Sequence, residues 1–194
     1  MILASLVARG GGSPDPVEPR ERGSGRGCGR AHRRQLRGPL IRWPRTSDIA
    51  GRSFAHLGTA ITFKDEPSDN GDMLLLFEVR MPPGNGVPPH HERNHEAFYI
   101  LEGALEVRSE ERSYRLEAGH FLSIAPGTVH ALHNPGPDCV VVLTWVSPGN
   151  QHVRFFETLG EPIENPFDPP QPTGPPNVQE LTRVARECGM EFQL

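Results

Sequence analysis

Apolar and polar positions alternate over short runs between residues 54 and 158, and Gly, Pro, Asn or Asp separates the runs. "ALEVRS" (104–109) shows the pattern: Leu105 and Val107 fall on one face, Glu106 and Arg108 on the other. The same reading predicts strands over 54–64, 72–81, 96–101, 112–117, 120–125, 129–134, 139–146 and 152–158. Many short strands at close spacing, with no helix between them, predict an all-β antiparallel sandwich or barrel. The pattern then changes. "ENPFDPPQPTGPPN" (164–177) reads as a Pro-rich linker. Residues 177–189 read as a C-terminal helix, with Asn177 as N-cap, an apolar stripe of Val178, Leu181, Val184 and Ala185, and a stop at Gly189. The stripe is expected to dock on the barrel or on a second subunit.

Composition divides the chain into three. Residues 1–45 are Gly, Pro and Arg with almost nothing to bury, so a disordered extension is expected there. Residues 46–163 hold the strand pattern, and 164–194 the linker and helix. The arginine arm carries ten Arg and three acids, whereas the remainder carries ten Lys or Arg against twenty-one acids. A domain of that sign does not favour nucleic acid. No apolar run is long enough to span a bilayer. The opening "MILASLVARGGG" lacks the basic start and cleavage pattern of a secretory signal. Three scattered cysteines, Cys28, Cys139 and Cys188, make neither a metal spacing nor a disulfide framework, which points to a reducing cytoplasm. Cys139 opens an apolar strand and is expected to be buried and inert.

The chemistry gathers in "PPHHERNHEAFYILEG" (88–103) and "GHFLSIAPGTVHALHN" (119–134). His90 and Glu92 are two apart in a strand and share a face. Glu96 begins the next strand, with Phe98 and Ile100 on its face. His130 follows a Pro-Gly turn, with Leu132 on its face. If these strands line one barrel, His90, Glu96 and His130 meet inside it. Two imidazoles and a carboxylate leave open positions on a redox metal. His95, His120 and His133 are read as outward or strand-edge residues, and His56 and His152 as lone polar groups. Trp145 and Phe77 are read as core or pocket lining.

The two clusters resemble the paired motifs of the cupins, small antiparallel jelly-roll barrels with a metal site in the mouth. The first motif reads Gly84, five residues, His90-x-Glu92, three residues, Glu96, six residues, Gly103. The second reads Gly119, five residues, Ala125-Pro126-Gly127, two residues, His130, three residues, Asn134. Ala125 replaces the family's usual Pro, and Glu92 replaces its usual second His. Either Glu92 ligates, or a bulge turns His91 inward, or the site is metal-free. The resemblance implies a divalent metal on His90, Glu92, Glu96 and His130, and the anionic set favours Fe, Mn or Ni over Zn or Cu. The flanks are similar to the quercetin-dioxygenase-like branch. That similarity implies an oxidoreductase, an oxygenase acting on a small aromatic or enolisable substrate. Glu96 would serve as both base and ligand, and Phe98, Ile100, Leu132 and Trp145 as the apolar wall. A non-redox isomerase or cyclase, or a non-catalytic sensor or storage barrel, is compatible with the same residues. Exposed sheet edges imply a homodimer.

Overall fold

A computed structural model describes residues 52–109, 112–172 and 174–193. The expectation for 1–45 lies outside the described residues. The described residues open with β1 (Ser53–His56) and β2 (Thr59–Asp65), then a single-turn helix α1 (Pro67–Asn70). Next come β3 (Leu75–Met81), β4 (Gly86–Glu92), β5 (His95–Glu102), β6 (Ala104–Ser109) and β7 (Arg112–Glu117). They are followed by β8 (Phe121–Ile124), β9 (His130–His133) and β10 (Val140–Ser147). Helix α2 (Asn150–Leu159), β11 (Glu161–Pro162), helix α3 (Val178–Glu187) and β12 (Met190–Phe192) complete the order.

All strand pairings are antiparallel, in two sheets. One runs β11-β1-β2-β3-β10-β5-β8 and the other β12-β4-β9-β6-β7. Alternation explains the stacking: Phe98 and Ile100 of β5 and Val140 and Val142 of β10 point inward onto Leu105 and Val107 of β6. This is the antiparallel two-sheet architecture expected from the strand pattern, and the jelly roll that the motif resemblance implies.

Three elements differ from the sequence reading. The run 54–64 is not one strand but a hairpin. Leu57 and Gly58 both take positive φ (51° and 78°), which suits the two-residue turn between β1 and β2. Residues 152–158 are not a strand; they form α2. His152, Phe155, Phe156 and Leu159 recur at the i, i+3, i+4, i+7 spacing of a helix, and an adjacent Phe pair cannot alternate across a sheet. A short strand, β12, follows α3 and pairs with β4. Cys139 is also exposed, whereas Cys188 is buried in the core. Neither is in a disulfide.

The C-terminal helix is where the periodicity places it. Asn177 accepts a hydrogen bond from the Glu180 backbone N–H at 3.2 Å, capping α3. Leu181, Val184 and Ala185 are buried, while Val178 is half exposed. Helices α2 and α3 close one end of the molecule with an aromatic cluster. Phe156 lies 5.5 Å from Phe77, 6.1 Å from Phe63 and 5.4 Å from Phe155 between ring centroids. Gly149 enters α2 where any side chain would collide with the Leu74–Leu75 backbone, so β10 can turn into the helix only through glycine. Truncating Phe156 to Ala should cost about 3–5 kcal/mol, against about 1 kcal/mol for Asn177→Ala. Urea unfolding midpoints of the two variants measure this difference.

Candidate metal centre

The strand register builds the site. His90 of β4 pairs with His130 of β9, and their rings lie 4.3 Å apart. The β4 register shifts between Val87 and His90, where Pro88 and Pro89 cannot donate to a ladder. Glu92 lies two residues beyond His90 on the same inward face. Glu96 opens β5, paired with Ile124 of β8 and Val146 of β10. From Val146 the chain turns directly into α2, whose first turn carries His152 to the same place. His90, Glu92, Glu96, His130 and His152 are all between 1% and 6% exposed.

Two sets of donor atoms result, His90–Glu96–His130 and Glu92–Glu96–His152. Within each set the donors lie inside 4.8 Å of one another, and Glu96 belongs to both. His90 Nδ1 is 2.9 Å from the Pro88 carbonyl and His130 Nδ1 is 3.0 Å from the Thr128 carbonyl. A carbonyl can only accept, so each ring donates from Nδ1 and keeps the Nε2 lone pair for the interior, the orientation typical of ligand histidines. His130 Nε2 stands 3.2 Å from Glu96 Oε2. His152 Nε2 stands 2.8 Å from Glu92 Oε2. That second contact is close but not aligned as a hydrogen bond. Both Glu92 oxygens and His152 Nδ1 have no hydrogen-bond partner among the described residues. A carboxylate stripped of water and left without donors is costly unless a cation completes it. The donor set therefore fits a divalent metal.

The electrostatics agree. Burial, reinforced by the adjacent His130, holds His90 down to about 4, so it stays neutral and able to coordinate. Burial pushes Glu96 up, and the neighbouring Glu92 charge adds to it. Burial opposes the charged forms of His130 and His152, but the contacts to Glu96 and Glu92 outweigh it and raise both. Burial likewise opposes charge on Glu92, and His152 more than compensates, lowering it. Without a metal, one proton shared in each contact, His130 with Glu96 and His152 with Glu92, keeps the interior near neutral.

The sequence-predicted residues separate here. His90, Glu92, Glu96 and His130 converge. His91 does not turn inward: it remains on the outer face, 3.7 Å from Glu191, despite the bulge before it. Phe98 and Leu132 line the cavity beside the site. Ile100 is fully buried in the core behind that lining. Trp145 is not pocket lining. It lies on the outer face of its sheet, stacked on the exposed Phe121 at 5.4 Å, because inward positions on β10 fall at Val142, Thr144 and Val146. His152, read as a lone polar group, is part of the site. Its helical spacing to Phe155 and Phe156 is the signal that could have placed it there.

The architecture and site define a small jelly-roll barrel with a buried His/carboxylate cluster. Residues 77–147, a little over a third of the chain, match the family model described as "Cupin domain", and both motifs that resemble the cupins lie in or beside that stretch. It is similar to the quercetin 2,3-dioxygenase of Bacillus subtilis (strain 168), with 34% identity over 100 residues, 51% of this chain and 29% of that protein. It is also similar to the tetracenomycin polyketide synthase protein TcmJ of Streptomyces glaucescens, 29% identical over 101 residues, 52% of this chain and 68% of that one. Among solved structures, KdgF from Halomonas sp. aligns with a TM-score of 0.48 at 23% identity, over 55% of this chain and 95% of that chain. The chain thus spans less than a third of the Bacillus protein.

Metal uptake at this site should release protons, since His130 and His152 are raised and must give up their protons to a cation. Affinity should rise with pH until both are neutral. Calorimetry in buffers of different ionisation enthalpy at pH 7 measures the release. His91→Ala should bind metal as the wild type does, and His130→Ala should lose it.

Proposed function

We propose that this protein is a divalent-metal-dependent cupin oxygenase for a small substrate of about one aromatic or enolic ring. The observation that carries the reading is the buried cluster of carboxylates and carbonyl-anchored imidazoles opening onto an apolar cavity. His90, Glu92, Glu96 and His130 would hold the metal, with Fe, Mn or Ni suited to the two carboxylates better than Zn or Cu. The bound metal would supply Lewis acidity toward a substrate oxygen and a seat for dioxygen.

The chain's own residues do the rest. The cavity measures about 120 Å³ and is lined by Phe77, Phe98, Leu132, Phe155 and Phe156 among others. A dry cavity of about 150 Å³ accepts benzene, so this space is close to the size of a single ring and well short of a fused polyphenol unless α2 and α3 move. Thr144 Oγ1 is buried, lines this space and has no partner among the described residues, so it can donate to or accept from a substrate oxygen. Glu96, whose proton affinity burial raises, would take the proton of a phenol or enol at a carboxylate oxygen. The apolar walls exclude water and strengthen that transfer.

The similarity to a polyketide synthase protein keeps a non-redox reading in view, a cyclase or isomerase using the same base. Dioxygen consumption separates the two. Free thiols at Cys139 and Cys188 support placement in the cytoplasm. No helix among the described residues is long and apolar enough to cross a membrane. The exposed Phe121, with Tyr99 and Leu101, gives the outer face of its sheet an apolar patch that supports a homodimer.

Elemental analysis of protein purified without a chelating tag should find close to one equivalent of Fe, Mn or Ni, lost in His130→Ala. Oxygen-electrode screening with catechols and enolised β-diketones should then show uptake, abolished in Glu96→Gln. Leu132→Trp should shrink the cavity and weaken substrate binding while metal content stays constant. An absence of metal after reconstitution with each candidate would overturn the reading.

A further inference from the structure

We infer that His152, carried on helix α2, is itself a metal ligand, so that one coordinating imidazole comes from outside the barrel strands. The inference rests on the metal-dependent reading above and goes beyond it. There the ligands are two histidines and two carboxylates. Here a third imidazole joins them.

Four observations carry it. First, His152 is 5% exposed, and its Nε2 lies within the donor set that it shares with Glu92 and Glu96. Second, its 2.8 Å separation from Glu92 Oε2 is not directed as a hydrogen bond. Neighbouring ligands on an octahedral ion with bonds of about 2.1 Å stand roughly 3 Å apart. The spacing between His152 Nε2 and Glu92 Oε2 is that of two donors facing a shared third atom. Third, Nδ1 of His152 is buried without a hydrogen-bond partner among the described residues. The ring can therefore settle onto an ion without breaking a hydrogen bond. Fourth, α2 is firmly seated. Phe155 and Phe156 pack one turn beyond His152, and Gly149 fixes the entry from β10, so the imidazole is delivered by a rigid element.

Position 92, where the cupin motif that the sequence resembles usually carries a second His, holds a carboxylate. The helix returns an imidazole to the same side of Glu96. The five side chains offer three imidazoles and two carboxylates in two overlapping sets of three, each with its donors within 4.8 Å of one another, and Glu96 joins the two. The competing role for His152 is a counter-charge that only neutralises Glu92.

Counting coordinated imidazoles decides between them. Co(II) would be loaded into the full-length protein and into His152→Gln and His130→Gln, and exchangeable hyperfine-shifted imidazole N–H signals counted by proton NMR. Three signals in the wild type and two in each variant are expected, with melting curves confirming that the variants fold. If His152→Gln fails to fold, the wild-type count alone decides. Two signals in the wild type, or a count unchanged in a folded His152→Gln, would overturn the inference and leave the metal-dependent reading standing. A wild type that binds no Co(II) would remove both.

Discussion

Two carboxylates buried side by side in an apolar barrel are the constraint on which the rest of this molecule depends. Glu92 and Glu96 are almost free of solvent, and neither can remain charged there without nearby positive charge. The fold answers with three imidazoles. Two are held in a fixed tautomer by backbone carbonyls, and the third arrives on a helix. Without a cation, His130 and His152 can carry the compensating protons. With one, the protons leave and the charge stays balanced. The groups gathered here could hold a divalent metal, and the apolar neighbours keep water away from them.

That exclusion of water depends on elements distant in sequence. Helices α2 and α3 and strand β12 close the cavity from one end. Phe156 joins the α2 side of that closure to the first sheet, and Leu181 and Met190 join the α3 side. The same packing that stabilises the end of the barrel fixes the position of His152. Stability and site geometry are therefore coupled here: a core change in the aromatic cluster will be felt at the metal centre, a few residues along the same helix. The small cavity volume is a consequence of this closure, and it sets the size of what can bind.

Much of the fold and part of the site were legible in the chain. The period-two run 104–109 gives a strand with the expected bounds because Leu105 and Val107 share a buried face, and 112–117 also keeps its bounds although only Leu116 is buried. The Asn177 cap and the Gly189 stop bound α3 by local chemistry alone. The inward placement of His90, Glu92, Glu96 and His130 follows from the same alternation. The reading went astray where local pattern is ambiguous. Residues 152–158 have β-forming composition but helical spacing, and Trp145 has a core-like side chain on an outward register.

The sequence by itself determined which residues share a face of a strand, where the turns fall, and that imidazoles and carboxylates would gather on inward positions. These are properties of neighbours along the chain, set by backbone period and turn chemistry. Only the tertiary structure decided that His91 stays outside, that Trp145 faces away from the cavity, and that a helix following β10 brings His152 to Glu92. Those outcomes depend on strand register and on packing between segments some sixty residues apart, as Glu92 and His152 are. No local pattern encodes the distance between such segments, because it is fixed by the collapse of the whole core.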